Sequence, residues 1–555
     1  MRTLKTMCGL GLAASLGFVG QAQAQASRDG GYVIRDVSVV DVEVGVVRSN
    51  QDVYVVDGRI HRIATALDVV PGRFKHVDGS GLYLMPGLFD AHVHLMAGGD
   101  AFGPMLVANG VTCVRDTGAA TAAIVAMRDG ASSGPSVLPR IICTGAIVDG
   151  DPPVWPFSHP CDEPEEARAA VRKLADAGVD QIKVYSLLKA DVYRAAVDEA
   201  HKLGLKATGH VPLDVTLDQA MAAGQDCCEH LTGFEKVIGE MAGWQPPNPD
   251  ARWAWFGAWA SYTDIPAHEL EAFARRVAAS GMHQCPTIVV MQGIGRAANT
   301  DDANKDPRMA YVPPALLSFW GGQRYAAMAD NARNAARSMK AMVAELHRAG
   351  VPIMVGTDLA NPYVFAGFSV HDEMVNFQDA GIPAADVLRA ATVVPARFCG
   401  VADTLGTVDE GKAASLVLVR GNPLVDVRHA ADIEAVFLDG RYLDRNTLDG
   451  MLEGVATANR PIVAVDEERL ELPGAEVARG RYLSKFQEFD AGAKSSLSHA
   501  TTRAITSRPI AGRPADRYRR SNSLTRSRRT SRSAPPPGRC SGGSPSRQPT
   551  PPPTA

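Results

Sequence analysis

The chain has little that would place it in a membrane. Past its N-terminal segment, no apolar run approaches the ~20 residues needed to cross a bilayer. Cysteine is sparse: nine residues, none at the spacing of a disulfide framework or a Cys-based zinc site. Cys113, Cys143, Cys227, Cys228 and Cys285 lie inside apolar, strand-like segments, where cysteine acts as a small hydrophobe. No glycine-rich phosphate loop follows the first strand of the central region, which disfavours an open, doubly wound nucleotide-binding sheet. What is present suits a globular chain. With 555 residues, 46% hydrophobic and 21% charged, it can form one large domain and a smaller one.

The net charge of −4 hides a split. Residues 501–555 carry twelve Arg, no Lys and a single acid, Asp516. From about 491 the chain is rich in Arg, Ser and Pro and poor in aliphatic residues, so residues 491–555 are expected to be a disordered tail. Its charge alone would permit a nucleic-acid-binding arm, but nucleic acid is not an expected partner. The complete replacement of Lys by Arg also fits an out-of-frame extension. At the other end, Arg2 and Lys5 precede an apolar stretch from Met7 to Gly20 and the small-residue run Ala22 to Ala26. That order reads as a signal peptide over residues 1–26 and predicts an exported protein, periplasmic or secreted.

Residues 31–80 form short β-rich runs punctuated by Asp57-Gly58 and Asp78-Gly79. The same texture returns in ASLVLVRG (414–421) and IEAVFLDGRYLD (433–444). The two ends, 27–83 and 400–460, are expected to pair into a small β-sandwich. Between them, residues 84–399 alternate eight apolar strand-like runs with helix-like stretches such as EPEEARAAVRKLADAG. This is the rhythm of a (β/α)8 TIM barrel, an α/β fold.

Six polar residues fall at or near the ends of five of these strands. Strand one carries His92 and His94, which face the same way because positions i and i+2 share a side of a strand. Lys183 lies on strand four, His210 on strand five, His230 on strand six and Asp358 on strand eight. Barrel strand ends converge on one face, so the set predicts a metal site. Any one of these residues alone would be unremarkable. A single histidine near a strand end is usually structural, and a single Gly-Thr-Asp is only a turn.

The arrangement resembles the amidohydrolase superfamily. PGLFDAHVH (86–94) is similar to its first-strand motif and GTD (356–358) to its last, while residues 381–442 resemble its C-terminal return. One departure is Ser415, where that return usually has Asp. The resemblance implies two divalent metal ions, zinc first among them for this N/O ligand set. His92, His94 and Asp358 would hold one ion, and His210 and His230 the other. Lys183, converted to a carbamate by CO2, would bridge them. It further implies a metal-activated water, with Asp358 relaying its proton to the leaving amine. One-metal deaminases of the superfamily need an acid three residues after the strand-five histidine. Leu213 stands there, and Lys183 has no counterpart in them, so the resemblance is to the two-metal branch of imidazolonepropionase-like proteins and Xaa-Pro dipeptidases.

The expected partner is a small-molecule substrate, a peptide or N-acyl amino acid, with no membrane span and a homo-oligomer left open. Lactone or carbamate hydrolysis, or a silent exported binding protein on the same scaffold, are the alternatives. Tyr185, two residues past Lys183, and His371, after strand eight, are candidate substrate contacts. All six Trp follow strands three, six and seven, which predicts an aromatic active-site mouth unless they pack the insertions instead.

Overall fold

Asp-Gly pairs close two hairpins of the outer sheet. Asp57 and Gly58 both take positive φ (49° and 75°), as do Asp439 and Gly440 (49° and 85°), the backbone that tight two-residue turns require. The computed structural model describes residues 29–65, 73–131, 137–248, 254–320 and 323–460, all within one compact unit. The leader segment, the Arg-rich tail and Trp253 lie outside the described residues. No described helix is long and apolar enough to cross a membrane.

From the N-terminal side come β1 (Asp29–Asp41), β2 (Val46–Val56), β3 (Arg59–Thr65), β4 (Arg73–Asp78) and β5 (Tyr83–Pro86). From the C-terminal side come β15 (Leu416–Val419), β16 (Ile433–Leu438) and β17 (Arg441–Asp444), numbered after the nine strands described below. Together they make one eight-stranded sheet in which β5 pairs antiparallel with β15, Leu84 opposite Leu418. Strand alternation explains why ASLVLVRG is apolar throughout. Leu84, Leu416 and Leu418 face a core with Ile34, Val39, Val53 and Phe437, while Met85, Val417 and Val419 face the central region. Ser415, the departure from the family pattern, donates its hydroxyl to Asp439 Oδ1 at 2.8 Å. Asp439 also pairs with Arg140, so the substituted position keeps a polar partner beside the sheet.

Only Gly87 separates β5 from the first central strand. The central strands are β6 (Leu88–Val93), β7 (Val111–Asp116), β8 (Arg140–Cys143), β9 (Val148–Asp149), β10 (His159–Pro160), β11 (Gln181–Val184), β12 (Lys206–Gly209), β13 (Cys227–Glu229) and β14 (His283–Cys285). They form two parallel sheets, β6-β7-β8 and β10-β9-β11-β12-β13-β14. Parallel bridges Gln284–Ile353 and Val93–Leu359 tie the segment carrying Gly-Thr-Asp to both sheets. Helices cover the connections. The helix Pro164–Asp176 starts with proline in its first turn and a Glu163/Glu166 capping box, and buries Ala167, Ala170, Val171 and Leu174 along one stripe.

Candidate metal centre

His92 and His94 alternate at the end of β6, and the turn after Ile353 brings Asp358 across to them. The Asp358 amide donates to the His92 carbonyl at 2.7 Å. Its Oδ1 lies 3.3 Å from His92 Nε2 and 3.1 Å from His94 Nε2, and its Oδ2 lies 3.7 Å from His230 Nε2. The ligand atoms of His92, His94 and Asp358 all fall within 4.8 Å of one another. The His230 ring is 4.6 Å from that of His92 and 5.0 Å from that of His210. The His210 ring in turn lies 4.0 Å from Tyr185, and Lys183 Nζ lies 5.8 Å from the centre of the Tyr185 ring. Three strand-end residues, His230, Thr287 and Asp358, sit in the left-handed region at φ 60°, 52° and 55°. Non-glycine residues held there cost ~1–3 kcal/mol each and cluster at functional sites.

Every one of the four imidazoles is tied at Nδ1. His92 meets Glu229 Oε2 (2.8 Å), His94 the Gly118 carbonyl (3.0 Å), His210 the Ser186 hydroxyl (2.9 Å) and His230 the Thr287 hydroxyl (2.7 Å). Their Nε2 atoms are left for the interior. Two of these, on His92 and His210, are buried and make no hydrogen bond. Buried polar nitrogens are rarely left orphaned, so inward-facing imidazole nitrogens beside a carboxylate and a lysine fit divalent metal.

The electrostatics agree at His210, His230 and Asp358, while at His94 burial is outweighed by Asp358 and Asp116, which raise the imidazole above its usual range. Burial, reinforced by His230, Lys183 and His92, holds His210 well below the usual histidine range. Burial likewise lowers His230 to about 3, against the pull of Asp358. Neutral imidazole is the form that binds metal. Burial would raise the Asp358 carboxyl, but His230, His92 and His94 outweigh it and keep the group well below the ordinary carboxylate range. Lys183, fully buried, is lowered by desolvation although Glu229 and Asp358 favour its ammonium.

Several groups here were not singled out in the sequence. Arg115 on β7 is completely buried and reaches across the interior. Its Nε donates to the Ala91 carbonyl (2.6 Å), Nη1 to Thr208 Oγ1 (2.8 Å) and Nη2 to Glu229 Oε1 (2.8 Å). Burial would raise the Glu229 carboxyl, but Arg115 and His92 hold it well below its usual range. Asp90 accepts from the Thr357 amide (2.9 Å) and hydroxyl (2.6 Å), pinning the Gly-Thr-Asp turn to β6. Charged residues inside the apolar runs VTCVRD and DCCEHL were the available signal.

His371 is not brought to this cluster. Its Nε2 meets the Asn109 carbonyl at 2.9 Å, just ahead of the start of β7, and its ring is buried in a helix. Nor is the aromatic mouth as broad as expected. Trp155 donates to the Tyr185 hydroxyl at 3.1 Å, and Trp320 donates to the Ala360 carbonyl at 2.9 Å, just past Asp358. Trp244 and Trp255 instead pack edge to face, with Trp255 filling the space over Gly239, and Trp259 is buried in the core. A surface cavity of about 490 Å³ between the helices Leu217–Ala223, Phe234–Met241 and Ala267–Ser280 contains none of the clustered residues.

One position tests how tightly this cluster is built. A Cβ on Gly356 would lie 2.4 Å from Cys285 Sγ and 2.9 Å from the His92 amide nitrogen. Backbone on β6 cannot give way cheaply, so Gly356→Ala is expected to cost ~1–3 kcal/mol of stability and to weaken retention of divalent metal. Thermal unfolding and metal stoichiometry read both effects. A variant as stable and as metal-rich as the parent would refute this account of the packing.

Fold and site together define a class, the TIM-barrel-like α/β hydrolases of the metal-dependent kind. The chain belongs to the amidohydrolase family, whose profile matches residues 83–443. An uncharacterised protein of Mycobacterium tuberculosis is 30% identical over 203 residues, covering 33% of this chain and 51% of that protein. The chain thus spans about half the length of the mycobacterial relatives it matches. Among solved structures, bottromycin amidohydrolase is 26% identical with a TM-score of 0.62, over 78% of this chain and 91% of its own. A Xaa-Pro dipeptidase with methionine in its active site shares the fold at 19% identity and a TM-score of 0.55, over 75% of this chain and 100% of its own.

Proposed function

We propose that this protein is an exported metal-dependent amidohydrolase that cleaves a C–N bond in a small substrate, a dipeptide or N-acyl amino acid. The observation that carries the reading is the convergence of the His92, His94 and His230 Nε2 atoms on the Asp358 carboxylate, with every imidazole Nδ1 tied outward. His92, His94 and Asp358 would hold one divalent ion, zinc by the chemistry of the donors, and His210 and His230 a second. Lys183 would join them as a carbamate, since burial disfavours its ammonium and so favours the neutral amine, the form that reacts with CO2. When bound, the two ions supply Lewis acidity and a water acidic enough to attack at neutral pH.

The chain's own groups do the rest. Asp358 accepts the proton of the attacking water and returns it to the leaving amine. Tyr185, tilted against the His210 ring and bonded by Trp155, contacts the substrate carbonyl or carboxylate. The strands β6, β7, β8, β11, β12, β13 and β14, closed by the 353–359 segment, are read as one eight-stranded barrel, and the outer sheet as a sandwich beside it. Export rests on the ordered leader features of residues 1–26. The name of bottromycin amidohydrolase, similar over most of its length, supports amide hydrolysis as the reaction.

The test is a panel of dipeptides, Xaa-Pro peptides, N-acyl amino acids, lactones and carbamates, offered to zinc-loaded protein without residues 1–26. Turnover of amide substrates is expected. Turnover confined to lactones or carbamates would move the reading to that chemistry, and binding without turnover would move it to a silent binding protein.

A further inference from the structure

We propose that Glu229, held by Arg115 and Thr208, is the positioning residue that locks His92 in its Nδ1–H tautomer and thereby sets affinity at the first metal position. The inference rests on the metal-site reading above. It begins with the two oxygens of one buried carboxylate. Glu229 Oε1 accepts from Arg115 Nη2 at 2.8 Å and from Thr208 Oγ1 at 2.5 Å. Glu229 Oε2 faces His92 Nδ1 at 2.8 Å, with both side chains fully buried. The carboxylate paired with Arg115 only accepts, so His92 carries a proton on Nδ1, and its neutral ring, the form that binds metal, then presents a bare Nε2.

The other histidines lack this electrostatic control. His94 is fixed by a backbone carbonyl, while His210 and His230 meet hydroxyls, which can donate or accept. His92 alone among the four depends on a charge, and that charge is itself fixed. Arg115 cannot be deprotonated, and it is braced by the Ala91 carbonyl on β6 next to His92. Arg115 therefore links the backbone beside the first ligand to β12, through Thr208, and to β13, through Glu229, the strands that lead into His210 and His230.

Glu229→Gln separates this role from simple packing, because the shape is kept and one acceptor becomes a donor. Arg115 and Thr208 both donate toward the Oε1 position, so the amide oxygen settles there. The amide NH2 then faces His92 Nδ1 and favours the Nε2–H tautomer, which cannot ligate metal. Zinc affinity at the first position, read by chelator competition, is expected to fall ~10–100-fold. Thr208→Val removes one of the two donors to Oε1 but leaves the carboxylate and its Arg115 partner in place, and is expected to lose less zinc affinity than Glu229→Gln. In metal-free parent protein, histidine 15N shifts are expected to show His92 protonated at Nδ1, a readout independent of substrate, activity and any variant's folding. His92 protonated at Nε2 alone in the parent, or undiminished zinc affinity in folded Glu229→Gln, overturns the proposal while leaving the metal-site reading intact. A parent protein that binds no zinc overturns both. Zinc binding without hydrolysis counts only against the proposed reaction.

Discussion

Asp358→Asn is expected to lower kcat/KM by at least ~10³-fold on any substrate the parent enzyme turns over. The carboxylate touches three imidazoles at once, and the proposed chemistry asks it both to hold an ion and to relay a proton. Asparagine keeps the shape and the turn, since the backbone bond from the residue 358 amide to the His92 carbonyl does not involve the side chain. It cannot accept the water's proton. The loss should therefore appear mainly in kcat, with the fold unchanged by circular dichroism. A variant within tenfold of the parent would remove Asp358 from the role of base.

The second large effect is expected at Lys183. Lys183→Ala should lose the second metal ion and cut turnover by ~10²–10⁴-fold. Added acetate or propionate should restore part of both, because a free carboxylate can enter the vacated volume and bridge the ions as the carbamate would. The side chain is 1% exposed, so its removal leaves a small cavity rather than a solvated gap. Metal analysis with and without carboxylate decides the matter. If Lys183→Ala retained two ions per chain, the bridging role would be wrong.

The inward-facing candidate ligands could be picked out in the sequence because strand geometry is local. His92 and His94 share a face by period-two alternation, Lys183 lies inside an apolar run, and His210, His230 and Asp358 each fall at the end of one. The pairing of the two β-rich chain ends was legible for the same reason. The groups around the ligands were not. Glu229 directly precedes His230, and Arg115 lies inside VTCVRD, but their relation spans the interior between β7 and β13. No spacing along the chain encodes it. A buried ion pair looks like two misplaced charges until the strands are set side by side. His371 was attractive because it closely follows Asp358 in sequence, yet the intervening turn carries it into a helix against Asn109. For the tryptophans both expected readings apply: Trp155 and Trp320 lie near the cluster, while Trp244, Trp255 and Trp259 pack the insertion after β13.

The pairing of β5 with β15 also bears on how the protein matures. Leu84 and Leu418 lie opposite each other across more than half the sequence, and the strand that Leu84 sits on runs through Gly87 straight into the one bearing His92. A nascent chain that has already exposed its first histidines to solvent still lacks the partner that anchors their strand. Such distant contacts form slowly and late. On the proposed metal-site reading, ion capture would accordingly be a closing event, completed after synthesis has passed residue 419, and a prematurely terminated polypeptide would carry the candidate ligand motif without the means to use it.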